Sequence, residues 1–221
     1  MENRCAKGGE DMLVSEALRY LGAKDDSMRP QVEHLLRSIT ETPRWTYRVF
    51  DLTFSEGVPS LSGIILPGNT AKKMLAGCEK AVLLACTMGL QFDGRLRAMQ
   101  ARNMADALIL NACGSALVEQ GCDSAETEIA ARFPEFYLTD RFSPGYGDLP
   151  LQIQKDLCAA LDVQRRLGIS LTESMLMNPS KSVTAIIGLS HTPQMARIRG
   201  CGYCSMKETC ALRKGGKHCG L

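Results

Sequence analysis

The sequence predicts an α+β domain followed by a small cysteine-rich tail. Three observations carry that reading. Long Ala-, Leu- and Met-rich stretches with helical spacing are mixed with short, hairpin-like pairs of strand segments. A regular alternation of strand and helix is missing, and so is a glycine-rich dinucleotide loop opening a helix. Four of the ten cysteines crowd into the last 21 residues.

The elements follow in order. Leu13, Val14, Ala17, Leu18 and Leu21 share one helix face, and Gly22 stops the helix. Residues 31–39 read as a second short helix, opened by Pro30. Residues 45–54 alternate and are rich in aromatic and β-branched side chains (Tyr47, Val49, Leu52, Phe54), which suggests a strand. A turn over 57–60 leads to a second strand over 61–66. Asn69 or Thr70 is placed to cap a helix over 71–76. Residues 80–86 read as a fully buried strand that ends at Thr87-Met88-Gly89. One long helix is expected over about 92–119, with Gly114 as its weak point, and a separate helix over 123–132, closed by Pro134. Residues 151–167 are expected to be helical, with Leu151, Ile153, Leu157, Leu161 and Val163 on the apolar side and Gly168 at the end. Residues 170–175 and 183–189 read as two strands joined by Asn178-Pro179-Ser180-Lys181. No internal repeat or low-complexity tract is visible.

Bulk properties narrow the function. A chain of 221 residues that is 45% hydrophobic supports one domain with a real core, or a domain with a small appendage. The expected division is 1–195 for the domain and 196–221 for the tail. A net charge of +2, from 26 basic and 24 acidic residues, gives no electrostatic case for nucleic acid or an anionic membrane. No apolar run reaches the roughly 18 residues of a membrane span, and the first residues lack the apolar core of a signal peptide. A cytoplasmic protein is expected. In a reducing compartment Cys5, Cys78, Cys86, Cys113, Cys122 and Cys158 read as small buried hydrophobes.

Acid–base or nucleophilic catalysis finds little support. His34 lies on an amphipathic helix, His191 in a loop before Pro193, and no Ser-His-Asp set is visible. No catalytic side chain is therefore assigned. Thr87-Met88-Gly89-Leu90 is too short for a phosphate loop and reads as a strand-to-helix turn. The tail is different. Cys201-Gly-Tyr-Cys204 is a closely spaced pair, with Cys210 and Cys219 following. Four thiolates can hold an iron–sulfur cluster or zinc, and three close cysteines with a remote fourth lean towards a 4Fe-4S cluster. Free or redox-active thiols are the third possibility. Lys207, Arg213, Lys214 and Lys217 would lower the thiol pKa values, and His218 could replace Cys219 as a ligand.

The most informative stretch is Arg141-Phe-Ser-Pro-Gly-Tyr-Gly-Asp-Leu-Pro150. Two glycines and two prolines make it poor material for a helix or central strand, so a shaped loop is expected. Arg141 offers a planar fork for a carboxylate, and Gly145 beside Tyr146 lets backbone approach a ligand. The plainer reading is a surface turn joining two elements.

The run 141–189 resembles the activation domain of cobalamin-dependent methionine synthase, and more closely the stand-alone proteins related to that domain. The matching residues are Arg141, Gly145 and Tyr146, then Leu171-Thr172-Glu173-Ser174, Met177, Pro179 and Ser182-Val183, in the family's order. The resemblance implies helices around a twisted antiparallel sheet. It also implies S-adenosylmethionine binding in support of reductive remethylation of cobalamin carried by a separate methionine synthase or corrinoid methyltransferase. An electron donor would reduce the cobalt, and the chain would be an accessory of that methyltransferase in methionine biosynthesis. The site residues so implied are Arg141, Pro144, Gly145, Tyr146, Glu173 and Ser174, with Glu119 and Asp106 nearest to the family's acidic ligand contacts. Two departures stand out: Gly147-Asp148 replaces the usual continuation of the loop, and Asn178 stands where a tryptophan is common. The alternative function is a non-catalytic binding or regulatory module of the same fold, with a structural zinc or redox tail.

Overall fold

The structure, a computed structural model, describes residues 3–194. The elements are α1 (Asn3–Leu21), a 3-10 turn (Asp26–Met28), α2 (Arg29–Ser38), β1 (Arg44–Ser55), β2 (Val58–Leu61), β3 (Ile64–Ile65), α3 (Asn69–Met74) and β4 (Lys80–Thr87). There follow α4 (Gly89–Arg102), α5 (Met104–Arg132), β5 (Tyr137–Leu138), α6 (Ile153–Leu161), α7 (Val163–Leu167), β6 (Ser170–Leu171), β7 (Met177–Asn178) and β8 (Ser182–Ser190). This is the expected α+β class, with a six-stranded sheet in the order β3-β2-β1-β4-β8-β5 and a separate β6-β7 hairpin. No helix among the described residues is long and apolar enough to cross a membrane.

The described residues divide into two compact units, one of 3–45, 86–124 and 164–183, the other of 46–85, 125–163 and 184–194. The second unit holds most of the sheet. β4 is a near-continuous apolar run, and every residue from Ala81 to Thr87 is fully buried. A strand covered on both faces needs no polar alternation, which is why it reads as Ala-Val-Leu-Leu-Ala-Cys. It runs antiparallel to β8: Glu79 N donates to Leu189 O at one end, and Met88 N to Lys181 O at the other. β5 pairs antiparallel with the far edge of β8, Leu138 opposite Leu189. The expected strand over 61–66 is in fact two: Ser62 and Gly63 take positive φ and fold β3 back on β2. The turn before it is tighter than expected, centred on Glu56 and Gly57, so β2 starts at Val58.

The first unit is built on helices. Val14, Ala17 and Leu18 of α1 pack with Val32, Leu35 and Leu36 of α2 and with Ile109, Cys113 and Ala116 of α5. Burying each of the larger apolar side chains is worth about 1.5–3 kcal/mol. The helix boundaries here depart from the expected ones. The long helix breaks at Asn103, whose backbone is extended and whose Oδ1 accepts the N–H groups of Ala105 and Asp106. Asn103 thus stops α4 and caps α5, a role its short polar side chain suits. α5 then runs without interruption through Gly121 to Arg132, so the separate helix over 123–132 is its continuation. Helix packing explains the glycine: a Cβ on Gly121 would meet Pro43 Cβ at 2.6 Å and Cys86 Sγ at 2.7 Å. The expected 151–167 helix is likewise interrupted, because Asp162 turns left-handed (φ +51) between α6 and α7.

Gly114 is the sharpest packing test. A Cβ there would lie 2.4 Å from the ring of Phe92, which is fully buried and has no room to swing away. Helix propensity alone favours alanine by about 1 kcal/mol. Overpacking opposes it by about 1–3 kcal/mol. Gly114→Ala is therefore expected to lower the urea midpoint, measured by circular dichroism, despite the better helix former.

Candidate functional site

The segment 141–151 of the second unit forms the shaped loop that its composition suggested, and each end is anchored differently. At its entrance Phe142 makes a two-way bridge to β8: its N–H donates to Ile186 O at 3.1 Å and its carbonyl accepts Ile186 N–H at 2.8 Å. The Phe142 ring is buried. Ser143 Oγ donates to Thr184 O at 2.7 Å, and Thr184 Oγ1 donates to Gln154 Oε1 at 3.0 Å. Gln154 and Thr184 are both buried, so this polar chain depends on having every partner met. Pro144 is buried as well, and fixes φ just before the turn.

The apex is a tight reversal. Gly145 N donates to Leu149 O at 2.9 Å, Tyr146 N to Ser143 O at 3.0 Å, and Leu149 N to Tyr146 O at 3.1 Å. Gly145 (φ +85) and Gly147 (φ +60) occupy the left-handed region that favours glycine. Leu149 is buried and anchors the exit, while Tyr146 is 44% exposed at the tip.

Asp148 closes the loop onto α3. Its carboxylate accepts the N–H groups of Asn69 at 2.6 Å and Thr70 at 2.8 Å, and its own N–H donates to Thr70 Oγ1 at 3.3 Å. The expected cap of α3 by Asn69 or Thr70 is corrected by this arrangement. Gly68 stands at the N-cap without a side chain, and the cap comes from Asp148 in a distant part of the sequence. Hydrogen bonds from the Thr70 hydroxyl and from the Thr70 and Asn69 amides hold the Asp148 carboxyl down to about 2.

Arg141 stands at the loop entrance, and its Nη1 donates to Glu126 Oε1 of α5. The side chains of this pair are 13% and 18% exposed. Glu126 was not singled out in the sequence: it is one of several acidic residues on α5, and spacing gave no sign that it faces Arg141. Glu173 and Ser174 lie in the first unit, exposed at the tip of the β6-β7 hairpin. There Leu176 N donates to Thr172 Oγ1 at 3.0 Å, the Thr172 and Ser174 hydroxyls lie 3.0 Å apart, and Met175 takes a positive φ. Asp106 has a local partner at the start of α5, accepting Asn103 Nδ2–H at 2.8 Å, and Glu119 lies part-buried on the same helix.

Polar groups also gather after that hairpin, in the first unit. The buried Asp93 carboxylate accepts Ser180 N–H at 2.7 Å and Ser180 Oγ–H at 2.9 Å. Lys181 Nζ donates to Ser115 Oγ at 2.8 Å. Burial lowers the Lys181 pKa, and the charge of Asp93 opposes that shift. Cys78, Cys86, Cys113, Cys122 and Cys158 are all buried, as expected, and burial raises the Cys113 thiol to about 11. His191 is a loop residue stacked on Phe136, its Nδ1 3.2 Å from Glu135 O. The cysteines assigned to a metal or cluster, Cys201, Cys204, Cys210 and Cys219, lie outside the described residues. Among the described residues no cluster of His, Cys, Asp or Glu could hold a metal ion.

The loop, the α5 segment that faces it and β8 fall inside residues 121–206, which match the family model described as vitamin B12 dependent methionine synthase, activation domain. The fold is that of a methionine synthase reactivation domain. Among solved structures, the MetH reactivation domain bound to AdoHcy is similar, with a TM-score of 0.60 at 15% identity, covering 89% of this chain and 76% of that one. No curated protein matches the chain.

The clasp makes a pH prediction. A folded pKa of about 2 lies below the ordinary 3.8, so the clasp stabilises the fold above about pH 4 and is lost as pH falls through about 2. The amide proton shifts of Asn69 and Thr70, followed by nuclear magnetic resonance, are expected to titrate near 2 and not near 3.8.

Proposed function

We propose that this protein binds S-adenosylmethionine through the Arg141–Pro150 loop and supports reductive remethylation of cobalamin carried by a separate methionine synthase or corrinoid methyltransferase. The observation that carries this reading is the family match over residues 121–206, which contains that loop in full. The likeness to a reactivation domain bound to AdoHcy supports it at the level of fold.

The chemistry of the loop suits the ligand. S-adenosylmethionine carries a carboxylate, a sulfonium and an adenine. Arg141 supplies the planar guanidinium for the carboxylate, and its pairing with Glu126 fixes the plane of that group. The half-exposed Tyr146 ring supplies a face for the sulfonium or the adenine. Gly145 lets main chain come near the ligand without a Cβ in the way. By the family pattern Glu173 and Ser174 of the first unit are further candidates for ligand contact. The cobalt on the partner would accept the methyl group, so this chain needs to bind and orient the donor and not to supply a nucleophile.

The four tail cysteines complete the assignment. A four-thiolate set from Cys201, Cys204, Cys210 and Cys219 would hold an iron–sulfur cluster or zinc. With a cluster, the tail could pass the electron that the reductive step needs. Protein purified without oxygen would then carry iron and sulfide, whereas a colourless zinc protein removes the electron-transfer role.

The test of the main reading is direct. Calorimetry is expected to show S-adenosylmethionine binding that Arg141→Ala weakens about 10- to 100-fold, the loss of a charged hydrogen-bonded contact worth about 1.5–3 kcal/mol. Addition of the protein is expected to speed reactivation of a methionine synthase loaded with oxidised cobalamin, given S-adenosylmethionine and a reductant. An unchanged rate, with no measurable binding, would leave a binding module of another kind.

A further inference from the structure

We infer that Asp148 is a positioning residue: by clasping the start of α3 it holds the Gly145–Leu149 turn, and with it Tyr146, in the shape that receives the ligand. The inference rests on the S-adenosylmethionine reading above and adds a residue that lies where this chain departs from the family pattern.

The turn is intrinsically loose. Gly145 and Gly147 flank Tyr146, and glycine loses more conformational freedom on ordering than any other residue. Something must hold both ends for Tyr146 to stand in one place. On the entrance side the holds are the Phe142–Ile186 bridge and the Ser143–Thr184 hydrogen bond. On the exit side the Asp148 carboxylate accepts the N–H groups of Asn69 and Thr70, and the Asp148 N–H donates to Thr70 Oγ1.

The fit around that clasp is close from both sides. A Cβ on Gly68 would lie 2.7 Å from Asp148 Oδ1 and 2.9 Å from Asp148 O. A Cβ on Gly147 would lie 2.3 Å from Thr70 Oγ1. Both positions also take positive φ, so the two chain segments meet through a pair of glycines. The amides that Asp148 receives belong to the first turn of a helix whose N-cap has no side chain. Such amides need an acceptor, and a carboxylate is the strongest one a protein offers. The clasp therefore satisfies α3 and the loop together. Asp148 is itself exposed and two residues from Tyr146, so it works on the ligand through the turn.

A ligand meeting a turn already in place binds without the cost of ordering it. The experiment uses the full chain and its Asp148→Ala and Asp148→Asn variants. S-adenosylmethionine affinity is measured by calorimetry, amide hydrogen exchange is read over 145–149 and 69–70, and the thermal midpoint is recorded. Asp148→Ala is expected to weaken binding about tenfold and to speed exchange in both segments, with exchange elsewhere unchanged. Asp148→Asn retains one acceptor oxygen and is expected to fall between, which also covers the case in which the alanine variant fails to fold. Wild-type affinity in a variant whose turn exchanges faster overturns the positioning role, as does unaltered exchange over 145–149. A wild-type protein that binds no S-adenosylmethionine overturns the ligand reading itself, and is told apart because the variants then have no affinity to lose.

Discussion

The backbone of β8 is the constraint on which the candidate site depends. One edge of the strand pairs with β4, and the other edge carries β5, Thr139 and the entrance of the Arg141 loop. Within the second unit, Thr139 N donates to Gly188 O, Gly188 N donates to Thr139 Oγ1, and Phe142 bridges Ile186. A central strand has no slack, because a one-residue slip would exchange its two faces, and both are buried. Its fully buried residues from Ala185 to Ile187 are held on that register by packing. Gly188 shows how tight the fit is, since a Cβ there would meet Cys78 Sγ at 2.5 Å and Leu75 Cδ2 at 3.1 Å. The loop thus inherits its position from the buried centre of the sheet.

The loop is built in two parts with different physics. Its entrance is apolar and main-chain bonded, with Phe142 and Pro144 buried and Gln154 satisfied by Thr184. Its exit is electrostatic and exposed, the Asp148 carboxylate against two helix-start amides. Buried main-chain pairing resists both salt and pH. An exposed charge clasp is screened by salt and is lost when the acid is protonated. The exit is therefore the softer of the two, and the half of the loop that solution conditions reach.

The fold class, the buried β4 run and the loop were legible because each rests on local composition: β-branched and apolar continuity in one case, paired Gly and Pro in the other. The helix breaks were not. Asn103 sits in an Ala-, Leu- and Met-rich stretch that favours helix on average, and one side-chain cap outweighs that average locally. Asp162 is similar, a left-handed residue inside an apolar helical pattern. The Asp148 cap and the Glu126 partner of Arg141 are long-range pairings, and a single sequence carries no signal for which carboxylate reaches which donor. Local composition marked the loop and the family resemblance made it a candidate site, while its electrostatic wiring rests on contacts between distant parts of the sequence.

That wiring bears on what kind of site this is. Within the second unit, Glu126 is paired with Arg141 and Asp148 is bonded to the Asn69 and Thr70 amides, so these two carboxylates already hold structural partners. A carboxylate whose lone pairs are engaged, and whose pKa in the case of Asp148 is driven down to about 2, is a poor general base near neutral pH. Cys78, Cys86, Cys113, Cys122 and Cys158 are buried, and burial raises the thiols of Cys113 and Cys158, away from the thiolate that a nucleophile needs. The loop itself offers a part-buried cation, an exposed ring and open backbone, features that suit the recognition role proposed above. A protein that presents such a surface on a rigid strand can bind and orient a reactive molecule while a separate centre carries out the reaction, which is the division of labour that an accessory of a cofactor-bearing enzyme requires.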